Sequence, residues 1–213
     1  MAQSRRVFSG LLGVYLPIAI VVFVLVLLAL AFALVRYRAA PGRQVSGRDD
    51  APRSELAYVL GITATVIVLV ILTFRGESHV DALAASPALK ITATGSDWRW
   101  RFDYPGLGVT ELGHGQQPTP LYVPADRTIE FDLSSLDVLH AFYIPYERFQ
   151  RAAIPKVVNR FDLVFPTAGV QTDGLCNEFC GVGHTQMRFA VHVLSAQQFA
   201  AWVNRRRSRG GTE

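Results

Sequence analysis

The sequence predicts a two-helix transmembrane hairpin followed by an all-β sandwich that carries a metal centre. Three observations lead there. Two long uncharged apolar runs stand near the start, short β-branched and aromatic runs follow, and a late loop concentrates sulfur and imidazole donors. At 213 residues the chain makes one or two domains, and its 50% apolar content is concentrated toward the N-terminus. The net charge of +4 is modest and the arginines are scattered or flank the apolar runs, so the composition offers no nucleic-acid surface.

No charged residue occurs over 7–35, and 21–30 is almost purely aliphatic. A run of that length spans a bilayer with some tilt. A signal peptide would have a shorter apolar part ending in small residues. Here the run ends in Arg36-Tyr37-Arg38, an interfacial anchor. The second uncharged run, 56–74, has nineteen residues, about 28 Å of helix. The predicted organisation is a hairpin over 1–78, with helices at about 8–36 and 56–74 and a loop over 37–55. Arg36, Arg38, Arg43, Arg48 and Arg53 lie between the spans, against Arg5 and Arg6 before them. That bias makes the loop cytoplasmic and puts both termini, with the large domain, on the periplasmic or equivalent side. Gly61, Thr63, Ala64 and Thr65 give the second helix a small, weakly polar face suited to a neighbouring membrane helix.

The outer domain is expected over 79–205. Candidate strands are 89–94, 97–104, 128–133, 141–144, 160–165 and 188–194, separated by turns such as Pro105-Gly106. Many short strands at this spacing suggest an antiparallel sandwich or barrel. Trp98, Trp100, Phe102 and Tyr104 alternate with charged residues, as a strand with one buried face does. One tryptophan of that run could instead sit at the surface near a redox centre. Ser195-Ala196-Gln197-Gln198 is a capping box for a closing helix over 196–205, with a basic, flexible tail over 206–213.

The chemistry concentrates in 176–187, where Cys176, Cys180, His184 and Met187 fall within twelve residues. These are soft and borderline donors that suit copper. One Cys, one His and one Met would make a mononuclear site; the second Cys leaves room for a second metal. Gly181 and Gly183 allow the backbone to fold tightly between them. A disulfide or a zinc site would account for the cysteines, but each leaves Met187 and the upstream His140 without a role. His140, in Asp137-Val138-Leu139-His140, supplies a further imidazole from a strand. Asp137 reads either as support for that end of the domain or as a solvated turn residue. His79, His114 and His192 have no ligand-like neighbours.

The hairpin, the Trp-x-Trp strand, the Asp-x-x-His and the Cys-x3-Cys-x3-His-x2-Met loop together resemble subunit II of cytochrome c oxidase, over nearly the whole chain. The resemblance implies a cupredoxin-like Greek-key sandwich on two helices, in a bacterial plasma membrane. It implies a binuclear copper centre, CuA, bridged by Cys176 and Cys180, with His140 and His184 binding one copper each. Met187 and the backbone carbonyl of Glu178 would complete the set. Electrons would come from cytochrome c and pass to the haem of subunit I, which reduces oxygen and translocates protons. Glu178 resembles the carboxylate of a magnesium site shared with subunit I, and Trp98 the family's electron-entry tryptophan. Glu55, in Glu55-Leu56-Ala57-Tyr58, stands where the family has Glu-x-x-Trp at the mouth of a proton channel. Ala153-Ile154-Pro155-Lys156-Val157-Val158-Asn159 resembles the family's Ala-Ile-Pro-Gly-Arg-x-Asn without its Gly and Arg. No Cys-x-x-Cys-His follows the copper loop, so no haem is expected on this chain. Acidic residues near Trp98 are sparse, which predicts weak charge steering of a donor.

Three rival functions follow from the same features. A quinol-oxidase subunit would lack these ligands, and nitrous oxide reductase needs a large propeller domain. A membrane-anchored copper chaperone of thioredoxin-like type, serving oxidase assembly, would need βαβ periodicity and an early cysteine pair.

Overall fold

The structure, a computed structural model, describes residues 3–38, 51–96, 98–113 and 117–210. Arg43 and Arg48 of the loop, Asp97, His114 and the last three residues of the tail lie outside the described residues. The chain divides into two compact units, residues 9–77 and residues 1–8 with 78–213.

Helix α1 spans Gln3–Arg36 and α2 spans Pro52–Asp81. Both are longer than the uncharged runs suggest, because polar residues at their ends continue the helix while leaving the apolar centre unchanged. Both are long and apolar enough to cross a membrane. Their apolar side chains face outward, which in water would be untenable and in lipid is the expected arrangement. The start of α2 is capped from within: Ala51 N–H donates to Glu55 Oε1 at 3.2 Å and Ser54 Oγ donates to Ala51 O at 2.8 Å. Tyr15 Oη donates to Leu69 O at 3.0 Å and also meets Thr73 Oγ1, tying the two helices together.

The second unit is a sandwich of two five-stranded sheets. In chain order the strands are β1 Leu89–Ser96, β2 Arg99–Tyr104, β3 Val109–Leu112, β4 Thr119–Pro124, β5 Thr128–Ser135, β6 His140–Ile144, β7 Phe149–Ala153, β8 Asn159–Val164, β9 Gln171–Cys176 and β10 Arg188–Leu194. One sheet has the order β3-β2-β1-β5-β8 and the other β4-β10-β9-β6-β7. The antiparallel expectation needs correction at two places: β1 pairs with β5, and β4 with β10, in parallel. Between the members of each pair the chain passes through the opposite sheet, and that detour supplies the long crossover parallel pairing needs. No α-helix interrupts the strands among the described residues 89–194, so the βαβ pattern of a thioredoxin-like chaperone is not present there.

Alternate residues of each strand fill the space between the sheets. Trp100, Phe102 and Tyr104 of β2 are fully buried; the first two meet Phe142 and Phe189 of the facing sheet edge to face, and Tyr104 meets Trp202 in the same way. Tyr104 Oη also bridges the sheets, donating to Tyr122 O at 3.0 Å and accepting from Tyr122 N–H at 2.9 Å. Trp98 departs from the alternation. Its φ of 64° puts it in the left-handed region, and the chain leaves the strand phase there, so the ring lies outside the core. Helix α3, Ala196–Gly210, starts on the predicted reciprocal cap: Gln198 N–H donates to Ser195 Oγ and Ser195 N–H to Gln198 Oε1. It continues past Arg205 because its arginines are anchored: Arg206 pairs with Glu111 at 2.6 Å, and Arg207 Nε donates to Leu107 O at 2.7 Å.

Lys156 also has a left-handed φ, 64°, at the position where the resembled loop has glycine. An L side chain costs roughly 1–2 kcal/mol in that region, against a gain of about 0.5–1 kcal/mol from the less mobile unfolded chain. Lys156→Gly is therefore expected to stabilise the protein by up to about 1 kcal/mol, read as a Tm a few degrees higher. A lower Tm would show that the Lys156 side chain contributes something glycine cannot.

Candidate metal centre

One end of the sandwich gathers the donors. β9 ends at Cys176, whose N–H donates to Met187 O at 2.9 Å, so the loop leaves and returns at one point. Within it, a tight turn is closed by His184 N–H to Gly181 O (3.1 Å) and Met187 N–H to Gly183 O (3.1 Å). Gly181 has φ of +117°, open to glycine and strained for other residues. His140 opens β6, beside Cys176, because Phe142 pairs with Cys176 across the β6–β9 ladder.

The side chains converge accordingly. Cys176 Sγ and Cys180 Sγ lie 3.8 Å apart, and both thiols are free. His140 Nδ1 is 3.8 Å from Cys176 Sγ, and His184 Nδ1 is 3.6 Å from Cys180 Sγ. Met187 Sδ is 4.0 Å from Cys180 Sγ, and the Cys176 thiol donates to Glu178 O at 3.2 Å. The donor atoms of His140, Cys176 and Cys180 all fall within 4.8 Å of one another. Two thiolates bound tetrahedrally at about 2.3 Å to one ion would sit about 3.8 Å apart, whereas a disulfide needs about 2.05 Å. The donor set therefore fits shared metal. Its soft composition, with one imidazole beside each sulfur and a thioether that zinc uses poorly, suits copper.

The electrostatics prepare the pair unequally. Burial opposes ionisation of Cys176, but hydrogen bonds from His140 and the backbone outweigh it and bring its pKa down to about 6. Burial and the neighbouring Cys176 charge push Cys180 up to about 12. A cation between the sulfurs is what allows both to be thiolates together. His140 is fully buried, and burial alone would lower its pKa; its bonds to Cys176 and Asp137 raise it instead. Its Nε2 meets Asp137 Oδ1 at 2.8 Å, leaving Nδ1 toward the sulfur. Asp137 is held in turn by Ser135 Oγ at 3.1 Å and Val138 N–H at 2.7 Å. A carboxylate that fixes the far nitrogen of an imidazole is the usual support of a metal-bound histidine. Of the two readings of Asp137 from sequence, the support fits.

Trp98 joins the site from outside. It is 39% exposed, its Nε1 donates to Cys180 O at 3.1 Å, and its ring covers the loop so closely that a Cβ on Gly183 would lie 2.3 Å from its Cγ. Gly95 of β1 makes a similar close approach. A Cβ there would meet His140 Cδ2 at 2.9 Å and Met187 Cε at 3.2 Å. Sequence reasoning did not single out Gly95 as part of the site; a glycine inside a strand was the signal that could have. Trp100, 6.2 Å from the His140 ring, backs the site from the core. Glu178 is exposed, with its carbonyl beside Cys176. Glu55 belongs to the helical unit, where its carboxylate caps α2.

A sandwich of this topology, with a soft-donor loop at one end and two bilayer-length helices before it, is a membrane-anchored cupredoxin-like protein. Comparison with known proteins narrows the class. Residues 109–194 match the family model for the periplasmic domain of cytochrome C oxidase subunit II, and the chain belongs with that family. It is 26% identical to the alternative cytochrome c oxidase subunit 2 of Bradyrhizobium diazoefficiens, over 89% of this chain and 76% of that protein. It is 29% identical to cytochrome c oxidase subunit 2 of Alkalihalophilus pseudofirmus, over 87% of this chain but 53% of that one. The chain thus spans about half the length of some of its relatives. The crystal structure of the periplasmic domain of cytochrome oxidase subunit II from Bradyrhizobium japonicum superposes with a TM-score of 0.54 at 28% identity, covering 60% of this chain and 99% of that domain.

Proposed function

We propose that this chain is the electron-entry subunit of a haem-copper oxidase and holds a binuclear CuA centre. Cys176, Cys180, His140 and His184 would hold the metals, with Met187 and the Glu178 carbonyl as weaker donors. The observation that carries this reading is the two sulfurs at 3.8 Å with one imidazole beside each. When bound, the coppers would supply a one-electron redox centre.

The chain's own residues do the rest. The loop ladder and the buried His140–Asp137 pair hold the donors in place, so that little must move when the charge changes. Trp98, bonded to the Cys180 carbonyl and part exposed, is the contact through which electrons from a cytochrome c enter. They leave for the haem of subunit I, where oxygen reduction and proton translocation take place. Glu178 would complete a magnesium site with that subunit, and Glu55 would lie at a proton entrance on the cytoplasmic side. In this reading the protein is multi-pass in a bacterial plasma membrane, with its termini and copper domain on the periplasmic side. The domains are the hairpin over 1–78, the copper domain over 79–205 and the basic end over 206–213. The helices carry no charge over 56–74 that could conduct ions unaided, so purified chain free of haem should consume no oxygen.

Metal analysis with electron paramagnetic resonance tests the centre. Two coppers per chain and an unpaired electron coupled to both nuclei are expected; one copper with mononuclear hyperfine structure overturns the proposal. Met187→Leu should keep both coppers, because the swap nearly conserves volume and costs less than about 1.5 kcal/mol. Its effect should appear as a shifted reduction potential, since a long axial donor tunes more than it holds. Loss of copper in that variant would make Met187 a primary ligand.

A further inference from the structure

Exposed apolar surface is unevenly distributed on the sandwich. Of the ten large apolar side chains left exposed among the described residues 84–210, eight stand in the four loops at the end that carries the sulfurs. Val182 is 92% exposed, Phe179 84% and Leu136 76%. These loops touch one another. Leu136 N–H donates to Gly95 O at 3.1 Å, Ser135 bridges to Pro155, and Val182 lies between the two glycines that the Trp98 ring covers. A contiguous apolar area of this kind on an otherwise polar domain marks an interaction site.

Among the described residues the charges around it are sparse, and the carboxylates are mostly paired. Asp103, Asp132 and Asp173 are paired with Arg101, Arg160 and Arg188, and Asp137 is bonded to His140. Glu178 is the exposed carboxylate of the loop, and our reading already places it with subunit I. Arg99 and Lys156 are exposed at the same end, with no ion pair to a described residue. The described charges give little attraction to a cationic partner, and the apolar centre gives contact that salt does not screen.

We propose that the Trp98–Leu136–Val182 surface is the docking face for an electron-donor protein whose own contact area is apolar and edged with carboxylates rather than lysines. The proposal rests on the electron-entry reading of Trp98. One electron crosses in the complex, from the donor's reduced haem to the copper centre, and no atoms are exchanged.

Two probes separate the possibilities: a lysine-rich c-type cytochrome, and the same protein with its lysines succinylated to carboxylates. Binding of each to the full copper-loaded chain, in nanodiscs of uncharged lipid, is measured at ionic strengths of about 0.01 and 0.15 M. The succinylated form is expected to bind about tenfold tighter than the lysine-rich form at low salt and to keep most of its affinity at high salt. Leu136→Asp and Val182→Asp should each weaken it about tenfold, the loss typical of an apolar anchor, with the copper resonance signal unchanged. Tighter binding of the lysine-rich form with a steep fall in salt overturns the proposal. So does absence of binding by either probe, or unaltered binding by the aspartate variants. An intact copper signal without this binding pattern sinks the docking face alone, while binding without a two-copper signal sinks the copper reading alone.

Discussion

Cys180→Ser abolishes the two-copper centre: copper falls from two per chain to one or none, and any remaining signal is mononuclear. The expectation follows from where Cys180 Sγ sits. It is the shared neighbour of three other donors, with Cys176 Sγ at 3.8 Å, His184 Nδ1 at 3.6 Å and Met187 Sδ at 4.0 Å. Cys176 Sγ keeps His140 Nδ1 at 3.8 Å and the Glu178 carbonyl at 3.2 Å. Removing Cys180 therefore leaves Cys176 as the single thiolate, with both His140 and His184 beside it. A serine hydroxyl is a hard and weakly acidic replacement and does not bridge soft ions. The fold should survive, since Cys180 lies in the loop and only partly in the core. Far-ultraviolet circular dichroism like that of the parent, with the two-copper signal lost, is the expected pair of results. Two coppers still sharing an electron in the serine variant would show that the sulfurs do not bridge.

How much of this was legible beforehand follows burial. The helices showed because their apolar runs are uninterrupted. The candidate donors stood out because donor type and spacing in one loop are local properties of the chain. Strands β3, β4, β7 and β9 did not show. Three of these are sheet edges, where burial on one flank is not required and the apolar alternation is weak. β4 carries Pro120 and Pro124, which an edge strand tolerates and a central one would not. β9 is interior but reads Gln-Thr-Asp-Gly before Leu175 and Cys176, with nothing apolar at its core-facing Gly174. Trp98 was left open between core and surface by its own pattern. The period of two predicts a core ring, and only the left-handed backbone at that residue turns it onto the copper loop. The Asp137–His140 bond depends on a turn geometry that spacing alone leaves open.

Gly174→Ala is expected to be the most destabilising single-methyl change in the domain. Gly174 faces Phe189 directly in the β9–β10 register, and a Cβ there would lie 2.0 Å from Phe189 Cζ and 2.1 Å from Cε2. Phe189 has no free direction in which to yield. It is fully buried, stacked on Phe142 at 4.6 Å, and in edge contact with Trp100 at 5.7 Å and Phe102 at 5.5 Å. Overpacking of a filled core costs about 1–3 kcal/mol and occasionally more, and contact with three packed aromatics puts this case at the upper end, about 3 kcal/mol. For a domain of this size that lowers Tm by roughly 10 °C. The disturbance also reaches the metal site, because Phe142 pairs with Cys176 across the ladder; copper uptake should weaken along with stability. The double variant Gly174→Ala, Phe189→Leu discriminates the cause. Removing the ring gives the methyl room, so the two losses should fall short of additive by about 1 kcal/mol or more, as residues in direct contact do. Thermal unfolding of the four proteins in the cycle measures it. Strict additivity would mean that the ring swings aside unaided and that the close packing of Gly174 on Phe189 is not what fixes this end of the sandwich.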